Sequence, residues 1–216
     1  MAKSDRTGRR KPRGNSMRRV PDLGYYCIVT DTKETEENYL YGLRDSLPKN
    51  MQGRLVIKVL KTRTKDLVES CKSLVSLEPQ YCEPWIVFDR DQVPFFDEII
   101  QKAHKEGIRV GWSNPCIEIW LDAYFGQMHS YYDSKTCNKR FAETYHRITG
   151  FEYDKAEEKL YQILTRYGNE SKAIKTAEAR MMSYAQNDVK KPSEMCPGTT
   201  MHLLVGEIRN KTGVPE

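Results

Sequence analysis

Nothing in this 216-residue chain approaches the roughly 20 consecutive apolar residues that cross a bilayer, and its first residues lack the apolar core of a signal peptide. The expectation is a protein with no membrane partner that stays in the cytoplasm. Cysteine occurs six times, at 27, 71, 82, 116, 137 and 196, but never as Cys-x-x-Cys and never at zinc-like spacing to histidine. Free thiols in a reducing compartment are the simplest reading. The four histidines, at 104, 129, 146 and 202, also show no ligand spacing. Internal repeats, heptads and low-complexity tracts are missing beyond the first residues. What is present, 38% hydrophobic and 30% charged residues, excludes a chain disordered throughout and suits one domain with a substantial core.

Charge is concentrated at one end. Residues 1–19 hold eight cations (Lys3, Arg6, Arg9, Arg10, Lys11, Arg13, Arg18 and Arg19) against Asp5 alone. Their +7 exceeds the +5 of the whole chain and leaves the remainder at −2. A basic leader containing Gly, Pro and Ser is expected to be disordered alone. Arg9, Arg10, Lys11, Arg13, Arg18 and Arg19 are candidates for gripping nucleic-acid phosphates. A solubilising or partner-docking tail is the plainer alternative.

Beyond the leader, apolar runs and helical periodicities alternate. Strands are expected over residues 25–30, 55–60, 84–88 and 108–112, with helices from the polar loop 31–36 to Pro48, over 64–77 and over 93–105. Asn114 suits a helix N-cap and Pro115 the first helical position, which starts a further helix. The alternation predicts a mainly parallel four-stranded sheet flanked by helices over residues 20–130. From 131 to 216 the pattern is helical, with breaks near Gly150 and Gly168 and a last helix over 200–210, so this part is read as a helical extension packing on the core. Lys172, Lys175 and Arg180 fall there as a basic helix face or a solvated one.

Chemistry is concentrated where strands give way to helices. Trp85-Ile86-Val87-Phe88 reads as a doubly buried strand, and Asp89 and Asp91 follow it one residue apart. Two aspartates at a strand's carboxyl end suit a hard cation, magnesium or manganese, although Asp-x-Asp alone is a weak signal. Asp31 and Glu36 follow the first strand, and Glu118 lies after the fourth. In a parallel sheet these positions share one edge, where ligands collect. Each has a plainer reading: Asp31 and Asp91 as caps of a helix or turn, Glu36 and Glu118 as first-turn carboxylates favoured by the helix dipole.

Four segments resemble the RloB-like proteins, also called the AbiLii group. They are Val29-Thr30-Asp31-Thr32-Lys33-Glu34-Thr35-Glu36-Glu37-Asn38-Tyr39; Val87-Phe88-Asp89-Arg90-Asp91; Ser113-Asn114-Pro115-Cys116-Ile117-Glu118-Ile119-Trp120-Leu121; and Pro197-Gly198-Thr199-Thr200-Met201-His202. The resemblance implies a Toprim-like fold, in which a glutamate after the first strand works with a downstream Asp-x-Asp in magnesium-dependent phosphodiester chemistry. It carries over Asp89 and Asp91, together with Asp31, as metal ligands, and Asp31, Glu36, Asp89, Asp91 and Glu118 as catalytic candidates. It also implies an ABC/OLD-type ATPase partner and a role in prokaryotic anti-phage abortive infection, with RNA (tRNA included) or DNA as substrate. One departure stands out: the family's Glu-Gly is Asp31-Thr32 here. Aspartate is one methylene shorter, and an oxygen misplaced by about 1 Å costs on the order of a hundredfold in rate. The alternative expectation is therefore a catalytically inactive nucleic-acid-binding adaptor.

Overall fold

The computed structural model describes residues 24–31, 34–52, 55–77, 82–91, 93–131 and 133–213. The basic leader with its six candidate phosphate contacts lies outside them. The run Tyr-Tyr-Cys-Ile-Val forms β1 (Gly24–Thr30), buried from Tyr26 onward as a central strand requires. A turn leads to α1 (Thr35–Asp45), a short α2 (Lys49–Gln52) and β2 (Leu55–Lys61). A 3-10 turn at Thr64–Asp66 then opens α3 (Leu67–Leu77), so the helix expected over 64–77 starts tighter than α. Next come β3 (Cys82–Asp89) and α4 (Phe96–Lys105). This helix begins three residues later than expected because Val93 precedes Pro94, and a residue before proline is driven out of the helical region.

The strand β4 (Arg109–Asn114) runs two residues beyond its expected end, and α5 spans only Glu118–Ala123. The expectation for Asn114 and Pro115 is corrected here. Asn114 ends the strand, its peptide bond to Pro115 is cis, and its amide donates to the carbonyls of Pro192 and Ser193 at 3.1 and 3.2 Å instead of capping a helix. The remainder comprises α6 (Ser134–Thr149), α7 (Leu160–Tyr167), α8 (Glu170–Gln186), a 3-10 turn (Pro192–Glu194), β5 (Gly198–Thr199) and α9 (Met201–Thr212).

The sheet has five strands, not four, in the order β2-β1-β3-β4-β5. The first four are parallel; β5 adds antiparallel to β4 through Ser113 opposite Thr199 and Asn114 opposite Gly198. The helical extension thus contributes to the sheet itself. Alternate residues of each strand feed two cores. Tyr26, Ile28, Trp85 and Val87 pack with α1, α5, α7 and α9, whereas Cys27, Val29, Ile86 and Phe88 pack with α3 and α4. The sulfurs of Cys27 in β1 and Cys82 in β3 meet between the two neighbouring strands.

Helices α1 and α7 touch through a glycine. A Cβ added to Gly42 would lie 2.4 Å from that of Tyr161, so the helices meet backbone to ring with no room between. Alanine is worth about 1 kcal/mol over glycine in an exposed helix. Here the clash reverses that sign. Gly42→Ala is expected to destabilise by about 1–3 kcal/mol, the usual range for overpacking. Urea unfolding checks it; an unchanged or higher midpoint would show that α1 and α7 separate freely.

Candidate active site

Because β1 lies between β2 and β3, the chain reverses its direction of progress across the sheet at β1. The crevice beyond the carboxyl ends of β1 and β3 is a topological switch point, the usual ligand position in such sheets. Thr30 pairs with Val87, so Asp31 and Asp89 leave neighbouring strands almost level.

Asp89 is the centre of the group. Its Oδ2 accepts the Ile117 N–H at 3.0 Å, yet its carboxyl is held well above the usual range, first by burial and then by the charges of Glu36, Glu118 and Asp31. A carboxylate in a low-dielectric site among three others favours its neutral form. Asp31 is also pushed up by burial, opposed by a hydrogen bond that Thr64 Oγ1 donates to its Oδ2 and by its own backbone N–H. Its Oδ1 is buried and accepts no side-chain hydrogen bond from the described residues. Glu36, in the first turn of α1, is 1% exposed.

Glu118 is fully buried at the first position of α5 and is the best-compensated member. Tyr153 donates its hydroxyl to Oε1 at 3.0 Å, and Lys155 Nζ lies 3.2 Å from the same oxygen. Asn138, its amide nitrogen turned inward, donates to Glu118 Oε2 at 2.9 Å while its oxygen receives Lys155 Nζ at 3.0 Å. Desolvation pulls the Lys155 ammonium down, but Glu118 outweighs it and the net shift is upward, so this cation stays charged beside the carboxylates. Burial and the Glu118 charge hold the Tyr153 hydroxyl well above its usual range. One turn further along α5, burial raises the Asp122 carboxyl to about 6, opposed by His129 at 3.4 Å and by Arg147.

Asp91 stands apart. It is exposed, has a left-handed φ of 26°, donates its N–H to the Pro115 carbonyl at 2.8 Å and accepts Ser134 Oγ on Oδ1 at 2.6 Å. Of the five acidic candidates, Asp31, Glu36, Asp89 and Glu118 are thus brought into mutual influence, while Asp91 turns toward the start of α6. As the side chains stand, no three His, Cys, Asp or Glu groups among the described residues enclose a space fit for a metal ion.

Sequence reading missed Thr64, Asn138, Tyr153 and Lys155. The last two sit in the irregular segment between α6 and α7, where no periodicity marks a residue as buried. Beside the acidic group opens a cavity of about 1480 Å³ whose walls carry Arg90, Lys135, Lys139 and Arg140. Its acidic residues are engaged: Asp91 with Ser134, Asp133 as the N-cap of α6, and Glu143 with Arg140 at 3.2 Å. The cations give the walls a surplus of positive charge.

The molecule is thus an α/β protein with acidic side chains gathered at the switch point of its sheet and, beside them, a cleft lined by four cations and three carboxylates. The family model of the RloB-like proteins matches residues 26–208, and the chain belongs to that family. No curated protein and no solved structure matches it.

Proposed function

We propose that this protein is a Toprim-like, metal-dependent nuclease, or an effector derived from one, that acts on nucleic acid in prokaryotic anti-phage abortive infection alongside an ABC/OLD-type ATPase. One observation carries the reading: a protonation-prone Asp89 crowded by Glu36, Glu118 and Asp31 beside a cation-lined cleft. Carboxylates crowded in this way call for a proton or a cation. The donor set is all oxygen, which suits magnesium or manganese, and the buried Oδ1 of Asp31 has no hydrogen-bond partner among the described residues. Asp31 and Asp89 would hold the ion, with Asp91 able to join them only by leaving Ser134. Bound there, the metal would neutralise charge on a scissile phosphate.

The chain's own residues would do the rest. Thr64 fixes Asp31, and the Ile117 N–H fixes Asp89. Lys155 and Asn138 both bond to Glu118, and Asn138 ties α6 to the sheet edge. Asp31 or Glu36 would take the proton from an attacking water, and the basic walls would hold the flanking phosphates. A second reading, a catalytically inactive adaptor, draws on the Asp31-Thr32 departure and on Asp91 being bonded to Ser134.

The two separate in a cleavage assay with labelled tRNA and DNA in manganese, with and without the partner ATPase. Asp31→Asn is expected to abolish cleavage and Asp31→Glu to preserve or increase it, with both variants still binding nucleic acid. Cleavage surviving in Asp31→Asn removes Asp31 from the chemistry. No metal-dependent cleavage under any condition decides for the adaptor.

A further inference from the structure

A second concavity, of about 800 Å³, lies along α8 on the far side of the segment 126–131 from the cleft. Lys172, Lys175 and Arg180 line it together with Ser171, Thr176 and Ser183. None of the described residues lining it is acidic, in contrast to the cleft, where three carboxylates interrupt the positive wall. The three cations fall on one face because i, i+3 and i+8 positions share a side of a helix, and they span roughly 12 Å of its axis. Lys172 and Lys175 are exposed. Arg180 is partly buried and donates to the Met128 carbonyl at 3.3 Å, which holds the groove's second wall against α8. Met128 faces this groove, while Ser130 and Tyr131, two and three residues on, line the cleft. The two concavities are therefore neighbours across a single turn of chain.

An isolated patch of lysines is ordinary. A concave row of cations and hydroxyls, with no carboxylate among its described lining residues, is a shape that fits a polyanion. We propose that this α8 groove binds the phosphate backbone of a nucleic-acid strand where it leaves the cleft. The inference rests on nucleic acid being the ligand of the cleft, but not on cleavage. The contacts are to backbone, so they carry register and affinity without base preference.

The test is fluorescence anisotropy of the full chain with a labelled 20-nucleotide single-stranded RNA and its DNA counterpart over a range of salt. Two lost phosphate contacts lower the slope of log K against log salt by about 1.4 for a single strand, and weaken binding roughly 10- to 30-fold at 0.1 M salt. The variant Lys172→Gln/Lys175→Gln is expected to show both effects with an unchanged melting temperature. Lys190→Gln/Lys191→Gln removes the same charge elsewhere, from exposed lysines paired with Asp188 and Glu194, and is expected to leave the slope as it is. A groove variant with wild-type slope, or a control that loses as much as the groove variant, overturns the proposal. If wild type binds neither strand, the groove and the nucleic-acid part of the proposed function fall together. If wild type binds but never cleaves, only the nuclease reading fails.

Discussion

Asp89→Asn is expected to lose metal-dependent cleavage and, above neutral pH, to melt at a higher temperature than wild type. Burial and the charges of Glu36, Glu118 and Asp31 raise the folded-state pKa of Asp89 well above that of an unfolded aspartate, about 3.9. A group raised in this way contributes stability that is fully present below the unfolded value and is lost as pH rises through the folded one. Asp31 and Asp122 are shifted in the same direction, the latter to about 6, so the contribution of these three carboxyls to stability declines from about pH 4 upward. Asparagine matches the shape, keeps an acceptor for the Ile117 N–H and removes the charge. The expected gain at pH 8 is about 1–2 kcal/mol, typical of relieving a functional site's strain, or roughly 2–8 °C for a chain of this size. At pH 4 the two proteins should melt together. Magnesium should raise the wild-type temperature at pH 8 and leave the variant unmoved. Thermal melts from pH 4 to 8.5 with and without magnesium measure all of this, and a variant no more stable than wild type at pH 8 would contradict the crowding argument.

Glu170→Ala is expected to be among the most damaging single changes far from the site. Glu170, at the start of α8, pairs with Arg209 of α9, Nε to Oε1 at 2.5 Å, with side chains only 16% and 10% exposed. Tyr161 and Tyr124 donate their hydroxyls to its Oε2 at 2.7 and 3.0 Å, and Tyr124 meets Tyr39 of α1 hydroxyl to hydroxyl at 2.7 Å. Arg209 also reaches Ser46 at 2.9 Å and Tyr161. Desolvation lowers the Arg209 pKa, but Glu170 outweighs it and the net shift is upward. Removing the carboxylate strands a buried guanidinium, which costs about 3–5 kcal/mol, or roughly 6–20 °C. Glu170→Gln retains part of the network and should lose less. Glu170→Ala/Arg209→Met removes both charges and should recover much of the loss. A loss under about 1 kcal/mol in Glu170→Ala would mean that Arg209 reaches solvent easily.

The sheet was legible because doubly buried strands leave dense apolar runs, and Tyr25–Val29 and Trp85–Phe88 are such runs. The edge shared by Asp31, Glu36, Asp89 and Glu118 followed from parallel strands alone, since every strand-to-helix junction then falls on one side. Four features were not legible. The strand β5 is two residues long, too short for any period, and its partners Ser113 and Asn114 are 86 and 84 positions away in sequence. Asn114-Pro115 carries a genuine helix-start signal, which tertiary bonding to Pro192 and Ser193 overrides. Asp91 follows the Asp-x-Asp pattern, but nothing local reveals a serine at position 134 that draws it away. Lys155 was hidden for a related reason: a single lysine in an irregular segment looks like any solvated one until Glu118 is seen beneath it.

The order in which these parts leave the ribosome has its own consequence. The four crowded acidic residues are all made by position 118, but the Asn138, Tyr153 and Lys155 that settle Glu118 come later. The bonds that close the opposite end of the sheet come later still: Tyr26 waits for Glu207 across 181 positions, and Glu83 waits for Lys211. Contacts of such long range form last. Between positions 118 and 155 a nascent chain carries all four acidic residues without the full set of partners that settle Glu118. The acidic edge of the sheet can therefore take shape before the opposite edge is tied down.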